Sequence, residues 1–475
     1  MDGAAQINVV REFEGSDLGD VRRQGRLKWM ARAFASNPSA SFPTATKTHA
    51  GLEATYRFLR NKAVAMDGIL AGHYEQTAER AASEGDVLAV HDTTIFQFDG
   101  EGKRKGLGPI HGHGQGFFGH VTLLVAPGEA RRPLGVIAVT KWTRPEGGQK
   151  KATKKGQKKT EKATTTKSGQ SFEAERWKKN AALAEERVAQ RCSLVHVMDR
   201  EGDSYDLWAA LMLAKSRFVI RNSRERVLDE GHYLKETIAG AKTVVERDVQ
   251  LSRRKKSPIA NGRKQPPQRA GRPARLALSA ETVTIRRPIN CLKELPATLT
   301  LNVVHVLEVG TNGDEPPVDW TLVTTEPIAT VEDIERVVDM YRSRWVIEDY
   351  FKVLKTGCAY EQRQLESEHT LSNALGIFIP IAWQLLLLRS LSRETADAPA
   401  SEALTSTQIE VLVAWSNGKL PRMPTVRQAL LAVAGLGGHI KNNGEPGWLV
   451  LLRGFQYLLV LTEGWKIAKT KRSDQ

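Results

Sequence analysis

Two apolar segments of the chain run into an aspartate: VLAVHDTT at Asp92 and LVHVMDREGD at Asp199. In open α/β sheets, sites lie at the carboxyl ends of strands. One aspartate there is commonplace, and two are suggestive. Farther along, Tyr341, Arg344, Glu348, Lys352 and Lys355 follow one another at steps of 3, 4, 4 and 3. Such steps set all five on one face of a helix. A solvated face laced with ion pairs has the same spacing. One carboxylate among three cations and a phenol is also what a metal-assisted phosphate site needs, the Glu holding a metal while Arg and Lys hold phosphates. Asp203 reads as local turn or N-cap chemistry. The histidines of HGHGQGFFGH (His111 to His120) have no carboxylates near them, so this glycine-rich run reads as a mobile loop rather than a metal site. Its glycine spacing is not a nucleotide fingerprint, since no strand leads in and no helix follows.

These residues need elements to hold them. Thr330 with Asp333 resembles a capping box, which opens a helix from Val331 to about Lys355, with Gly357 as its stop. Strands are predicted at Asp86 to Asp92, Ile95 to Phe98, His120 to Ala126, Gly135 to Thr140, Ser193 to Asp199 and Arg217 to Arg221. Helices fall at about Phe172 to Arg191 and at Ser204 to Lys215, and the alternation argues for an α/β layered domain. Residues ~222 to 325 make an all-β excursion, and everything after ~375 reads helical. Residues 1 to ~70 are helical too. Ser16 and Asp17 are candidate caps of a first helix, and a second spans Ala50 to Leu59. Arg22, Arg23, Arg26, Arg57 and Arg60 gather there. Short arginine-bearing helices suit DNA reading, and an ordinary solvated face is the alternative.

Charge narrows the partners. The 475 residues carry Lys+Arg 69 against Asp+Glu 54, a net +15. Such an excess points to a polyanion or an acidic membrane surface. It is concentrated in Gln149 to Lys167, net +7, and Leu251 to Arg275, net +9. The first is the composition of a solvated lysine loop. The second is rich in Arg and Pro between strand-like segments and reads as a nucleic-acid contact. Cys192, Cys291 and Cys358 are too few and too far apart for a disulfide framework or a zinc module, which fits a reducing cytoplasm. No secretory signal opens the chain. The longest apolar stretch, Ala374 to Leu388, has 15 residues. That is short of the ~20 a spanning helix needs, so it reads as a buried core helix.

The spacing Tyr-x2-Arg-x3-Glu-x6-Lys in YRSRWVIEDYFKVLK resembles the signature of the insertion-sequence-four family of bacterial DDE transposases. DLGDVRR, YRFLRN, HDTT, MDREGD, RFVIR, DWTLVTTEP and GLGGHIKNNGEPGW match further motifs in the family's order, over nearly the whole chain. The resemblance implies a ribonuclease H-like α/β catalytic core at residues 71–370, with a β-rich insertion at about 222–325. It implies a helical domain at 1–70 that recognises transposon ends and a helical domain at 371–475 that dimerises. The acidic triad would be Asp92, Asp199 and Glu348. Tyr341, Arg344, Lys352 and Lys355 would lie against DNA, and Trp320 aligns with a family tryptophan that accepts a flipped base; the alternative for Trp320 is sheet core. The Lys-rich run at 150–167 looks like an enlarged loop, a departure from the family.

The chemistry of the residues agrees with that reading. Three carboxylates around one spot stay ionised only if cations share their charge. Ligation by carboxylates alone suits Mg²⁺, with Mn²⁺ as a substitute, rather than Zn²⁺. Two such ions ~3.5–4 Å apart would activate water or a 3′-hydroxyl and stabilise the leaving oxygen. By resemblance the steps are nicking, hairpin formation, hairpin opening and strand transfer into target DNA, carried out by a homodimer of a cytoplasmic, nucleoid-associated bacterial protein. Two rivals use the same residues: a ribonuclease H-type nuclease without strand transfer, and a catalytically inactive DNA-binding remnant.

Overall fold

A computed structural model of the chain describes residues 9–100, 102–110, 114–144, 172–251, 271–310, 316–394, 396–440 and 446–473. The Lys-rich run and most of the Arg/Pro-rich run lie outside the described residues, as do His111 and His113.

The N-terminal part is helical: α1 (Val21–Ser36), α2 (Phe42–Thr46), α3 (His49–Arg60) and α4 (Met66–Ala82). The cap of α1 is Asp20 rather than Ser16 or Asp17, its carboxylate accepting the Arg22 N–H. Ser16 is buried and donates instead to the Ile69 carbonyl of α4 at 2.9 Å. Helix α4 runs through the expected boundary at residue 70. A Cβ on its Gly72 would meet the Glu14 carbonyl oxygen at 2.2 Å, so only glycine lets the N-terminal segment lie this close.

The middle of the chain alternates strands and helices: β1 (Asp86–Phe98), β2 (Gly108–Pro109), β3 (Gln115–Val125), β4 (Pro133–Trp142), α5 (Phe172–Val188), β5 (Ser193–Met198), α6 (Tyr205–Leu213), β6 (Arg217–Asn222), α7 (Leu234–Gly240), β7 (Val245–Leu251), β8 (Arg272–Arg286), β9 (Thr298–Val309) and β10 (Asp319–Thr324). Among the described residues these strands form one mixed sheet, ordered β2-β3-β1-β5-β6-β10-β9-β8-β7, with β4 on β3. The pairs β1–β5 and β5–β6 are parallel. The β-rich stretch is therefore no separate layer. Strand β10 pairs antiparallel with β6, Leu322 opposite Arg221, and so closes an edge that would otherwise be left open.

Two expectations change here. Strand β1 does not stop at Asp92, because β3 pairs with it from Leu88 to Phe98. The run Gln115 to His120 is not a mobile loop but the start of β3, with Phe117, Phe118 and His120 buried. Both faces of this strand are covered, so its sequence carries no alternation to betray it.

The last third holds α8 (Val331–Arg342), α9 (Trp345–Lys352), a π turn at Val353–Gly357, α10 (Glu368–Glu394), α11 (Ser406–Trp415), α12 (Val426–Leu436) and α13 (Trp448–Ser473). The Thr330–Asp333 capping box is present. The single long helix is not: it breaks at Ser343–Arg344. The Ser343 hydroxyl donates to the Asp339 carbonyl at 2.9 Å, a back-bond that bends helices. Helix α10 carries the long apolar stretch, packs on α3, α4 and β4, and is almost wholly buried. It is the one helix among the described residues long and apolar enough to cross a membrane, and the protein's own interior covers it. Its Trp383 donates to the Pro133 carbonyl at 2.8 Å. The apolar stretch Ala374 to Leu388 is thus core, as its length suggests, and it is on α13 that apolar side chains reach the surface. Gly454 lets α13 approach α12, since a Cβ there would lie 1.7 Å from the Val433 carbonyl oxygen.

Buried histidines tie the layers. His73 of α4 accepts the Val136 N–H at 3.0 Å with Nε2, and its Nδ1 lies 2.5 Å from the buried Glu12 carboxylate, to which Arg80 also donates. Beneath the sheet, His91 Nε2 is 2.9 Å from His196 Nδ1, and the Thr122 hydroxyl reaches His91 Nδ1 at 3.0 Å. His120 Nδ1 meets the Thr93 hydroxyl at 2.9 Å. Burial holds His73, His91 and His120 below the usual histidine range, so they fold neutral. A depressed folded value gives stability that is present above the unfolded value of about 6.5 and is lost as pH falls below it. Asp92, pushed up to about 7, acts the opposite way. Three histidines outweigh the one aspartate, so metal-free stability should fall as pH drops from 7.5 to 5.5. Urea titrations in EDTA at pH 7.5 and 5.5 measure this, and equal midpoints would contradict it.

Candidate active site

The sheet brings Asp92 and Asp199 side by side. Strands β1 and β5 are parallel neighbours in the register Val90 opposite Val197, and each aspartate follows its valine by two residues. Neighbouring strands lie about 4.8 Å apart. Strand β5 ends at Met198, and the Asp199 carboxylate caps the following turn by accepting the Glu201 N–H at 2.8 Å. Asp92 lies within β1 but beyond the part that β5 covers, and accepts the Thr93 N–H at 2.8 Å. Burial, and then the Asp199 charge, push its carboxyl up to about 7, against the pull of Arg344 and the Thr93 N–H; Glu348 adds to the push.

Helix α9 packs across β1 and presents Glu348 to the same spot. Between the carboxylates sits Arg344, which the helix break places just before α9. Its Nη2 donates to Glu348 Oε1 at 2.7 Å, and its Nη1 is 3.5 Å from Asp92 Oδ2. The guanidinium is buried, which opposes its charge, and Tyr341, Glu348, Asp92 and Asp199 more than offset this and raise its pKa. As the side chains lie, no three acidic, histidine or cysteine groups among the described residues are grouped to share one metal ion. The donor chemistry nevertheless fits a hard divalent cation: Asp92 and Glu348 share one guanidinium, the Asp199 charge acts on the same spot, and burial with like charge pushes Asp92 up to about 7. Arg344 supplies the positive charge such a cation would bring.

Of the other helix-face residues, Tyr341 is buried against the edge of Trp320, ring centroids 5.3 Å apart. Lys355 donates to the Ile95 carbonyl of β1 and pairs with Glu361 at 3.4 Å, which pins the π turn to the strand. Lys352 does not converge. It is exposed and pairs with Asp349 at 3.1 Å, the nearest acid along its own helix. Trp320 is half-buried on β10, so neither pure core nor a free platform.

The N-terminal arginines are on the surface of α1 and α3. Arg22 is exposed and pairs with Asp20, Arg23 donates to the Leu18 carbonyl, and Arg26 lies over Trp29. Arg57 is exposed, and Arg60 pairs with Glu366 at 3.2 Å.

Asp203 is not a local turn residue. It is buried, accepts the Ser223 and Arg224 N–H groups at 2.7 and 2.8 Å, and pairs with Arg226. It thereby ties the loop after β5 to the loop after β6. Sequence reasoning also passed over Arg221, at the end of RFVIR. Its Nη2 donates to the Asp319 carbonyl at 3.1 Å, and its charge faces Tyr341. A cation at the carboxyl end of a parallel strand, beside the two that carry aspartates, was the available signal.

Residues 8–64 match the family model described as transposase DNA-binding. Residues 85–379, more than half of the chain, match the one described as transposase DDE domain. The two matches lie on either side of α4 and together include each residue placed in the site.

Proposed function

This chain belongs to the DDE transposases, and on that premise we propose that Asp92, Asp199 and Glu348 are its catalytic carboxylates and that it moves a DNA segment by cutting and pasting. It is a DNA-binding transposase, and its family works with divalent metal. The finer reading is the insertion-sequence-four family, with a ribonuclease H-like core. The observation that carries the catalytic assignment is that Asp92 of β1 and Glu348 of α9 share the Arg344 guanidinium, with the charge of Asp199, at the end of β5, acting on the same group.

In this reading Asp92, Asp199 and Glu348 would hold two Mg²⁺ or Mn²⁺ ions, which would supply Lewis-acid activation of a water or 3′-hydroxyl and charge stabilisation at the leaving oxygen. Arg344, once released from the carboxylates, would hold a DNA phosphate. Lys355 would lie beside the same strand of DNA, the buried Tyr341 would back Trp320, and Arg22, Arg23, Arg26, Arg57 and Arg60 would engage transposon ends. Trp320 offers its ring to a flipped base, which suits nicking followed by hairpin formation, hairpin opening and strand transfer. A nuclease without strand transfer has no need of the DNA-binding region matched at 8–64. An inactive remnant has no need of three intact carboxylates.

Synapsis of two ends requires two copies. On α13, Tyr457, Val460, Leu461 and Ile467 are exposed apolar residues at helical spacing. They support a homodimer through the C-terminal helices. The test is a supercoiled plasmid with two inverted copies of the terminal repeat that flanks the gene, incubated with Mg²⁺. The segment should be released with hairpin ends, so that each half produced by a restriction cut inside it migrates at double length on a denaturing gel. Val460→Asp with Ile467→Asp should keep the single-end complex while paired-end complexes and release fall by about tenfold or more, as a buried charge costs several kcal/mol. Open-nicked product alone from the wild-type protein would favour the nuclease. Intact pairing in the double variant would move the interface elsewhere.

A further inference from the structure

Helix α9 does not end freely. The π turn Val353–Gly357 continues it, and the chain then reverses at Ala359, whose φ of 47° is in the left-handed region. A non-glycine residue stays there only where its surroundings hold it. What holds it is Arg363. This side chain is buried, and its guanidinium donates to the Cys358 carbonyl at 2.6 Å, immediately before the reversal.

The same guanidinium reaches into the N-terminal helices. It donates to the Pro38 carbonyl at 2.7 Å and to the Ala40 carbonyl, both in the turn between α1 and α2. It lies between two aromatic rings, 5.1 Å from the centroid of Phe42 on α2 and 4.5 Å from that of Phe378 on α10. Burial lowers its pKa to about 10, so it is still a cation at neutral pH. A planar fork with five N–H donors is well suited to bond three carbonyls from two parts of the chain at once. Its own backbone is tied down too: the Arg363 carbonyl accepts from Arg104 at 2.9 Å, and Glu361, two residues earlier, accepts the Gln97 N–H of β1 at 2.9 Å. One short segment therefore touches the strand that carries Asp92, the helix that carries Glu348 and the turn that follows the arginine-bearing α1.

We propose that Arg363 is a positioning residue through which seating of the N-terminal helices on DNA sets the Glu348 helix. The proposal rests on the reading of Glu348 as catalytic. Movement of the α1–α2 turn pulls on two of the three bonds, and the third acts on the residue that ends the π turn. DNA engaged by α1 and α3 thus reaches the carboxylate cluster through a single buried fork rather than through loose loops.

Two measurements test this. Hydrogen exchange of the wild-type protein, with and without a duplex bearing the terminal repeat, should change protection at residues 38–46 and 353–363 together, with β9 unaffected. Unchanged exchange at 353–363 on a bound end would overturn the proposal. In parallel, Arg363→Met and Arg363→Lys are compared for end affinity by gel shift and for cleavage rate of the bound complex. The methionine variant should bind ends within about threefold of wild type yet cleave them roughly tenfold to a hundredfold more slowly, the scale of a misplaced catalytic group. The lysine variant should recover part of the rate. Equal losses of affinity and rate, with no recovery by lysine, would make Arg363 a fold-stabilising residue only. If Arg363→Met does not fold, the exchange measurement decides. Glu348→Gln is run alongside: continued cleavage by that variant sinks the active-site reading itself, whereas a dead Glu348→Gln with a fully active Arg363→Met sinks the coupling alone.

Discussion

Asp92→Asn, Asp199→Asn and Glu348→Gln should each reduce end cleavage by about a thousandfold or more, equivalent to about 4 kcal/mol on the barrier. Each change keeps the size of the side chain and removes only the charge that would share a metal ion. End binding should hold within about threefold, or tighten slightly, since a negative charge facing DNA phosphates is lost. Asp92→Asn has a second, opposite signature. Burial and Asp199 make the ionised Asp92 unfavourable in the metal-free protein, so at pH 8 this variant should melt at a higher temperature than wild type in EDTA. Mg²⁺ should then stabilise it less than it stabilises wild type, because a ligand has gone. Single-turnover cleavage and thermal melts with and without Mg²⁺ measure both. A variant that cleaves near the wild-type rate removes its residue from the site, and an Asp92→Asn protein less stable than wild type in EDTA would contradict the charge argument.

Arg344→Ala should be the next most damaging change, because the same guanidinium serves two states. Without metal it neutralises Glu348 at 2.7 Å and Asp92 at 3.5 Å, so its loss leaves three carboxylates facing one another. The variant should lose stability in EDTA and recover most of it on addition of Mg²⁺ or Mn²⁺. With DNA, cleavage should fall roughly tenfold to a hundredfold even at saturating metal, the scale of one lost electrostatic contact to a reacting group. Arg344→Lys should restore less than half of the effect, since a single ammonium cannot bridge two carboxylates as a fork does. Melts across a Mg²⁺ titration, set beside cleavage rates, separate the two roles. Metal-independent destabilisation would show that Arg344 acts through packing against Trp345, over whose ring it lies at 5.0 Å.

Much of this protein was legible in its residues. The apolar runs into Asp92 and Asp199, the Thr330–Asp333 box and the Tyr341-to-Lys355 spacing are local features, fixed by propensity and by short hydrogen bonds. The strand–helix alternation likewise announced an α/β protein. The length and composition of Ala374 to Leu388 marked a core helix, since 15 apolar residues cannot span a bilayer but can line an interior.

What stayed hidden depended on partners distant in the chain. No local pattern says that β10 closes the β6 edge and so merges the β-rich stretch into the main sheet. Nothing near Asp203 points to Ser223 and Arg224, and Ser16 reads as a cap until Ile69 claims its hydroxyl. The Gln115-to-His120 run showed no alternation because both of its faces are buried. Local sequence set the types of the catalytic-type residues. Their meeting was decided by the Val90–Val197 register, set by a parallel strand more than a hundred residues away, while the local break at Ser343 puts Arg344 where the folded sheet brings the carboxylates. Arg363 is the clearest case. Its sequence neighbours are ordinary, and its three carbonyl partners come together only when the N-terminal turn is folded against the end of the Glu348 helix.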